Sequence, residues 1–279
     1  MLRLRLFHAQ DGARIAYREG GTGPPFVLWH SRGLNHREFT PAADELLDRV
    51  RIVLPDLPLH GDSEEAPGYP YDIDWTARLL AEFTRDIGGA HPRVGGSGLG
   101  AQLLLRAVAR GWLEPSKLVL LPGRLHRPAP NNATGALARF TAAAVAPAGP
   151  LIAKSVAKAA IRPELVGKSP SPRVASLVTG ARTAMLESGE RSRAWRRVIA
   201  GWDTEDFREL IDAYGKVDAP TLVLWSQDDT LAPRRAAEEA ADLIEHALLR
   251  DLPGTGPLLA YDDPVGLARE IYAFLRDVG

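Results

Sequence analysis

A serine inside a run of glycines is the first candidate for chemistry in this sequence. The run is VGGSGLGAQ at 94–102, and Ser97 stands near its middle. A serine becomes a nucleophile when it is held on a sharp turn between a strand and a helix. Small residues must flank such a turn, because the strained backbone leaves no room for Cβ atoms. Gly95 lies two residues before Ser97, but the residue two positions after it is Leu99. Ser97 is therefore a candidate nucleophile with one unsuitable neighbour.

A second register of the same turn contains no nucleophile. It centres on Gly98, which has Gly96 two residues before it and Gly100 two residues after it. Ser97 would then only cap the helix that begins near Leu99, as serines at helix N-termini commonly do. Both registers remain open at this point.

The elements around this turn alternate between strands and helices. Short apolar runs typical of strands lie at 2–7, 13–19, 26–30, 51–57, 92–96, 116–123, 220–226 and 247–253, and helical spacing is found at 73–87, 99–111, 234–244 and 265–278. The first two runs are separated by a turn and predict a hairpin. Most later runs are apolar throughout, which is typical of strands buried on both faces. The pattern predicts an α/β fold with a mostly parallel sheet flanked by helices.

One long segment breaks this alternation. Residues 126–215 are rich in Ala and Arg and have helical patterns throughout, so we predict a helical cap inserted into a core formed by 1–125 and 216–279. Ligands of such sheets bind at the carboxyl ends of the strands, which places the pocket between those loops and the cap. Apolar cap helices could pack on the core or on a second copy of the chain, which leaves a homodimer open.

Five loops that follow strands resemble those of a known family. They are WHSRG (29–33), DLPLHGDS (56–63), VGGSGLGAQ (94–102), WSQDDTLAP (225–233) and LPGTGPLL (252–259). In type and order these loops are similar to those of the α/β-hydrolase fold superfamily, over nearly the whole chain. The resemblance implies an α/β-hydrolase fold and a catalytic triad in the chain order Ser, Asp, His.

The same resemblance implies that the triad is incomplete. Asp229 lies four residues before Pro233, at the position of the family's acid, where it would orient a histidinium. The family's histidine position holds Pro257, which has no ionisable group. Without an imidazole partner, burial would raise the pKa of Asp229 and allow it to act as an acid or base itself. The alternative is a carboxylate that only hydrogen-bonds its own loop.

Two other histidines are candidates for a relocated base. His36 follows the first of the five loops, in SRGLNHREF, and His126 follows the strand at 116–123. For each, the alternative is a packing or solvent-exposed role. His246 precedes the last strand and so lies at the opposite end of the sheet from the site.

The resemblance also implies an oxyanion hole, which is a set of N–H donors for a developing negative oxygen. Its donors would be the backbone N–H groups of Ser31 or Arg32 and of Gly98, with Leu99 beside them. Such a site stabilises an enolate or phenolate without any nucleophile. Loss of the histidine, in contrast, costs a serine hydrolase on the order of 10⁶ in kcat.

Composition excludes several other classes of protein. The formal net charge of −1 provides no field for nucleic acid or an anionic membrane, and there is no cysteine. No apolar run approaches the ~20 residues of a membrane span, and no metal-ligand cluster or dinucleotide-binding spacing is evident. We expect a cytoplasmic protein that uses no cofactor or metal and binds a small-molecule substrate.

The interpretation that follows is an enzyme with no hydrolytic activity. It would act on an apolar, carbonyl-bearing small molecule by proton transfer, ring closure or carbon–carbon bond formation, with its oxygen held in the oxyanion site. Members of the superfamily with damaged triads have such roles in specialised metabolism, which is what the resemblance implies here. A serine esterase or lactonase with a relocated histidine base, and a ligand-binding protein without activity, are the alternatives.

Overall fold

The computed structural model describes residues 1–64, 68–127, 172–186, 207–227 and 233–277. Within these residues the centre of the molecule is an eight-stranded sheet. Its strands are β1 (Arg3–His8), β2 (Arg14–Gly20), β3 (Pro25–Trp29), β4 (Arg51–Pro55), β5 (Arg93–Gly96), β6 (Lys117–Leu120), β7 (Thr221–Ser226) and β8 (Ala247–Leu252). They lie in the order β1-β2-β4-β3-β5-β6-β7-β8.

Strand direction divides the sheet into two parts. β1 pairs with β2 antiparallel, and β2 pairs with β4 antiparallel, so the predicted hairpin forms one edge. Every other pair is parallel, from β4 across to β8. The carboxyl ends of these parallel strands meet at one edge of the sheet, which brings the described loops after β3, β4, β5 and β8 together there. The predicted α/β-hydrolase fold is confirmed.

Helices cover both faces of the sheet. They are α1 (Thr40–Asp44), α2 (Ile73–Gly88), α3 (Leu99–Ala109), α4 (Pro172–Leu186), α5 (Leu210–Tyr214), α6 (Arg234–Leu243), α7 (Leu259–Asp262) and α8 (Pro264–Arg276), with short 3₁₀ turns at His36–Phe39 and Phe207–Glu209. Side chains alternate between the two faces of a strand. In β3, Val27 and Trp29 pack with α2, α3, α5 and α6, whereas Phe26 and Leu28 pack with α1, α7 and α8. This two-sided burial explains why inner strands such as β3 are apolar throughout.

The described part of the predicted cap is helical. α4 packs three apolar side chains against the loops that follow β3 and β8, in a cluster formed by Leu34, Val174, Leu177, Val178 and Leu258. The cap boundaries at 126 and 215 stay a prediction, because most of that segment lies outside the described residues. None of the helices described is both long and apolar enough to cross a bilayer.

A buried arginine joins the end of this segment to the core. Arg106 of α3 is 6% exposed, and its Nε donates to Asp74 Oδ1 of α2 at 2.6 Å. Its guanidinium also pairs with Glu209 in the 3₁₀ turn before α5. Because a buried guanidinium needs acceptors, this pair holds the 3₁₀ turn and α5 against α3.

Candidate active site

The turn between β5 and α3, residues 96–100, is called the elbow below. Its tip is Gly98, with φ 52° and ψ −116°, a conformation that side chains rarely adopt. Glycine is also required on either side. A Cβ on Gly96 would lie 2.6 Å from the carbonyl carbon of Gly100, and a Cβ on Gly100 would lie 2.5 Å from the Trp29 oxygen. The small residues therefore flank Gly98, which favours the register without a nucleophile.

The space beside the tip of the elbow is taken by a neighbouring hydroxyl. A Cβ built on Gly98 would lie 2.9 Å from Oγ of Ser31, in the loop after β3. Ser31 is half-buried. Its hydroxyl therefore occupies the region into which a side chain at the tip would project.

Ser97, the predicted nucleophile, lies one residue before the tip and points elsewhere. It is 3% exposed. Its Oγ lies 2.9 Å from Ser31 Oγ and donates to the Pro122 carbonyl at 3.2 Å. Its backbone N–H donates to the Trp29 carbonyl at 3.0 Å, continuing the pairing of β5 with β3. Among the residues described, no histidine hydrogen-bonds this hydroxyl.

A glutamate that the sequence analysis did not identify lies next to Ser31 and Ser97. Glu38, in the 3₁₀ turn before α1, is 2% exposed. Its Oε2 accepts from the Ser31 N–H at 2.7 Å, and its Oε1 accepts from Ser31 Oγ at 2.9 Å. Burial raises the pKa of Glu38 from its ordinary 4.5 to about 7, although the hydrogen bonds from the backbone N–H and the hydroxyl of Ser31 oppose that rise. The carboxyl is thus poised to exchange protons near neutral pH.

A small cavity connects these groups to the loop after β8. It is lined by Glu38, Phe39, Ser97, Leu121, Pro122, Pro257, Leu258, Leu259, Ala260 and Leu267. The cavity has room for about one water molecule. Pro257, at the position where the resemblance implies a histidine, thus forms part of the same wall as Glu38 and Ser97. The remaining lining is mostly apolar, which is the environment that raises a carboxyl pKa.

The predicted oxyanion donors differ in their availability. The Ser31 N–H is engaged by Glu38, and the Gly98 N–H donates to the Pro122 carbonyl at 3.0 Å. The N–H of Leu99, the first residue of α3, donates to no acceptor in the described part of the chain. As the first N–H of an 11-residue helix it lies at the positive end of the helix dipole. Arg32 is exposed on the adjacent loop.

His36, a candidate base, is fixed by an aspartate. Its Nδ1 lies 3.0 Å from both carboxylate oxygens of Asp56, and its backbone N–H donates to Oδ1 at 2.6 Å. Asp56 also accepts from the Asp62 N–H at 2.9 Å. Burial alone would raise the pKa of Asp56, but the hydrogen bond and charge of His36 outweigh it and lower the pKa. Ligand atoms of the His36, Asp56 and Asp62 side chains lie within 4.8 Å of one another, a grouping that the sequence analysis did not foresee.

His126, the other candidate base, belongs to a separate cluster. Its Nδ1 lies 2.8 Å from the Tyr214 hydroxyl, and its Nε2 lies 2.7 Å from Glu239 Oε2. Both ring nitrogens are therefore engaged, and the ring joins the start of the predicted cap to α5 and α6. Asp229, the candidate acid, lies outside the described residues.

Comparison with known proteins gives a consistent result for the fold. Residues 26–270 match the family described as "Alpha/beta hydrolase family". Haloalkane dehalogenase 2 of Mycobacterium tuberculosis is 38% identical over 84 residues, which is 30% of this chain and 29% of that protein. An alpha/beta hydrolase fold protein from Burkholderia ambifaria superposes with a TM-score of 0.79 at 23% identity, covering 97% of this chain and 99% of that one. A thermophilic esterase from Thermogutta terrifontis superposes with a TM-score of 0.72 at 22% identity, covering 99% and 98%.

Proposed function

Because this chain belongs to the alpha/beta hydrolase family but has glycine at the tip of its elbow, we propose that it is an enzyme that forms no acyl-enzyme there. It acts on an apolar small molecule that carries a carbonyl group, and it holds the carbonyl oxygen at the N-terminus of α3. The reaction is a non-hydrolytic one that passes through negative charge on that oxygen: proton transfer, ring closure or carbon–carbon bond formation. The observation that supports the proposal most directly is the backbone conformation of Gly98, which places a residue without a side chain at the tip of the elbow.

Magnitudes support the loss of ordinary ester hydrolysis. Removing the histidine of a serine hydrolase costs on the order of 10⁶ in kcat, while the oxyanion site and substrate binding still give roughly 10³–10⁴ over water. In this proposal Gly98 occupies the nucleophile position and Pro257 occupies the histidine position, and neither side chain is reactive. What persists is the helix N-terminus, which stabilises an enolate oxygen as readily as a tetrahedral one.

The surroundings support an apolar ligand. The loops after β3 and β8 contribute Leu34 and Leu258 to a cluster covered by α4. Glu38 and Ser97 are the polar side chains in the wall of the cavity. Mostly apolar walls with a few convergent polar groups are typical of small-molecule sites, and this cavity, with room for about one water, would be only the innermost part of such a site. The proposed chemistry needs no cofactor or metal.

The test compares two panels of compounds with the purified full chain. One panel is 4-nitrophenyl esters of increasing acyl length, followed by absorbance. The other is enolisable ketones and aldehydes in D₂O, followed by ¹H NMR for deuterium next to the carbonyl. We expect exchange into at least one carbonyl compound above the buffer rate, with no burst from any ester. A stoichiometric burst of nitrophenolate, or no exchange with any compound, would refute the proposal.

A hydrolase is the second candidate, and one contact favours it. Oγ of Ser31 donates to a carboxylate 2.9 Å away, beside the tip of the elbow, which is the arrangement of a nucleophile with its base. An esterase or lactonase that uses Ser31 would be labelled there by a fluorophosphonate probe. Mass spectrometry of the labelled peptide separates this case from labelling at Ser97.

A further inference from the structure

We propose that Glu38 is the base of this site and that it removes a proton from the carbon next to the ligand's carbonyl. The inference rests on the proposed function and narrows its substrate class to enolisable ketones and aldehydes. The carbon acid would enter the cavity that Glu38, Ser97 and Pro257 line together.

The hydrogen bonds of Glu38 leave it able to accept a proton. Each carboxylate oxygen has two acceptor positions. One position on each is filled, by the Ser31 N–H at 2.7 Å and by Ser31 Oγ at 2.9 Å. Because Glu38 also lines the cavity, the remaining positions are those that a ligand or a water there can reach. Ser31 is therefore a positioning residue, which fixes the carboxylate without neutralising it.

Among the described parts of the chain, no cation forms with this carboxylate the ion pair that buried acids usually have. Glu38 is 2% exposed, and in the residues described it forms no salt bridge. Of the charged and titratable groups in the described residues, His36 and Arg37 lie on its own turn, and Tyr261 on α7 interacts electrostatically with Glu38, Arg37 and Arg173 of α4. The Tyr261 hydroxyl donates to the Arg37 carbonyl at 2.9 Å, so it does not donate to Glu38. An unpaired buried acid is costly to the fold, and such groups are concentrated at functional sites.

The step balances without an oxidant, reductant or second reactant. The C–H bond next to the carbonyl breaks, and its electron pair forms the carbon–carbon double bond of an enolate. The carbonyl oxygen takes the negative charge, which the proposal assigns to the positive end of the α3 dipole at the Leu99 N–H. The proton goes to Glu38, which becomes a neutral carboxylic acid, exchanges that proton with solvent, and returns a solvent-derived proton, or a deuteron in D₂O, to carbon. The room for about one water limits the group that enters to the size of a methyl.

The experiment measures deuterium exchange into the same carbonyl compounds by wild type and by variants. Glu38→Gln is expected to lower the exchange rate by at least about 10²-fold, since general bases contribute roughly 10²–10⁴. Glu38→Asp, which keeps a carboxylate on a shorter arm, should recover part of that loss. Glu45→Gln is the matched control, because Glu45 is exposed and is not part of the proposed site. This variant should catalyse exchange at the wild-type rate.

The pH profile separates a base from a structural residue. A base acts when ionised, so exchange should rise with pH with a midpoint near the pKa of Glu38, about 7. Ser31→Ala removes a hydrogen bond that favours the ionised carboxylate, so it should move this midpoint upward. A purely structural role for Ser31 would lower the rate and leave the midpoint unchanged.

The outcomes distinguish the inference from the function on which it rests. If wild type exchanges a compound and Glu38→Gln exchanges it equally fast, the inference is overturned and the function stands. If wild type exchanges no compound, the proposed function is refuted. In that case ¹³C NMR of carboxyl-labelled glutamate in the ligand-free protein still tests whether Glu38 has the raised pKa that a base at this site needs. A titration near pH 7 that disappears in Glu38→Gln supports a carboxyl poised as a base. Titration of Glu38 at its ordinary pKa overturns it.

Discussion

Replacing Glu38 by glutamine is expected to make the stability of the fold less dependent on pH. The substitution keeps the size of the side chain and one oxygen that can accept from Ser31, but it removes the ionisable group. In the wild type this group is buried and unpaired, and its pKa rises from 4.5 to about 7. Any difference in pH dependence between the two proteins therefore reports the carboxyl itself.

The magnitude follows from linkage between proton binding and folding. Between pH 4.5 and about 7 the unfolded chain has lost this proton while the folded chain retains it, so folding takes up a proton. The wild-type free energy of unfolding must then fall as pH rises through this window, and it is level above it. A pKa difference of about 2.5, at about 1.36 kcal/mol each, amounts to about 3 kcal/mol.

The assay is urea unfolding at four pH values from 5 to 8. Tryptophan fluorescence is a suitable signal, because the chain has six tryptophans. Subtracting the value for Glu38→Gln at each pH removes the contributions of all other titrating groups. We expect the difference, wild type minus variant, to fall by about 2.5 kcal/mol from pH 5 to pH 8, because part of the change already occurs below pH 5. A difference that is level across this range, or that rises, would show that the carboxyl is hydrated or paired and would refute the reasoning.

Three further substitutions test the packing of the site. Gly100→Ala places a Cβ 2.5 Å from a backbone oxygen that cannot move aside, so it should lower the free energy of unfolding by about 3 kcal/mol in the same urea titration. Gly215→Ala is the control, because in the described structure a Cβ there meets no neighbouring atom within 4 Å, and it should change that free energy by less than about 0.5 kcal/mol. Gly98→Ala should cost about 1–3 kcal/mol because of its positive φ, and equal stability of the two proteins would contradict that conformation. Tyr214→Phe leaves Nδ1 of His126 without its buried partner and should lower the unfolding free energy by about 1–3 kcal/mol, which thermal unfolding at matched pH would detect.

The fold could be predicted from the sequence because its signals are repeated and local. The inner parallel strands, such as β3, β4 and β7, are buried on both faces, so each is an apolar run, and each run is followed by a loop with its own pattern of small or polar residues. The elbow is a local example of the same relation between sequence and structure. Gly96 and Gly100 are needed because backbone atoms approach them closely, and Gly98 is needed because its φ is positive. The spacing of these three glycines in the sequence already matched the register without a nucleophile.

Glu38 could not be predicted because its local sequence favours a different role. In NHRE, at 35–38, an asparagine precedes a glutamate by three residues, which is typical of a helix capping box. Asn35 does cap the 3₁₀ turn, accepting from the Arg37 N–H at 3.0 Å. The carboxylate of Glu38, however, bonds to Ser31, seven residues earlier. That contact depends on how the loop after β3 folds back against the elbow, which no spacing rule specifies.

The proline at 257 and the acid at 38 are consistent with each other on electrostatic grounds. An imidazole titrates near pH 7 in water, whereas a carboxyl does so only when it is dry and has no cation beside it. Pro257 contributes an apolar ring to a cavity that holds about one water, so it neither hydrates nor neutralises Glu38. A histidinium in that wall would face the carboxylate across the same small space and would lower the pKa of Glu38 well below neutrality. A base of either kind at this position thus excludes the other, so the proposed role of Glu38 in proton transfer requires a neutral residue, such as proline, at position 257.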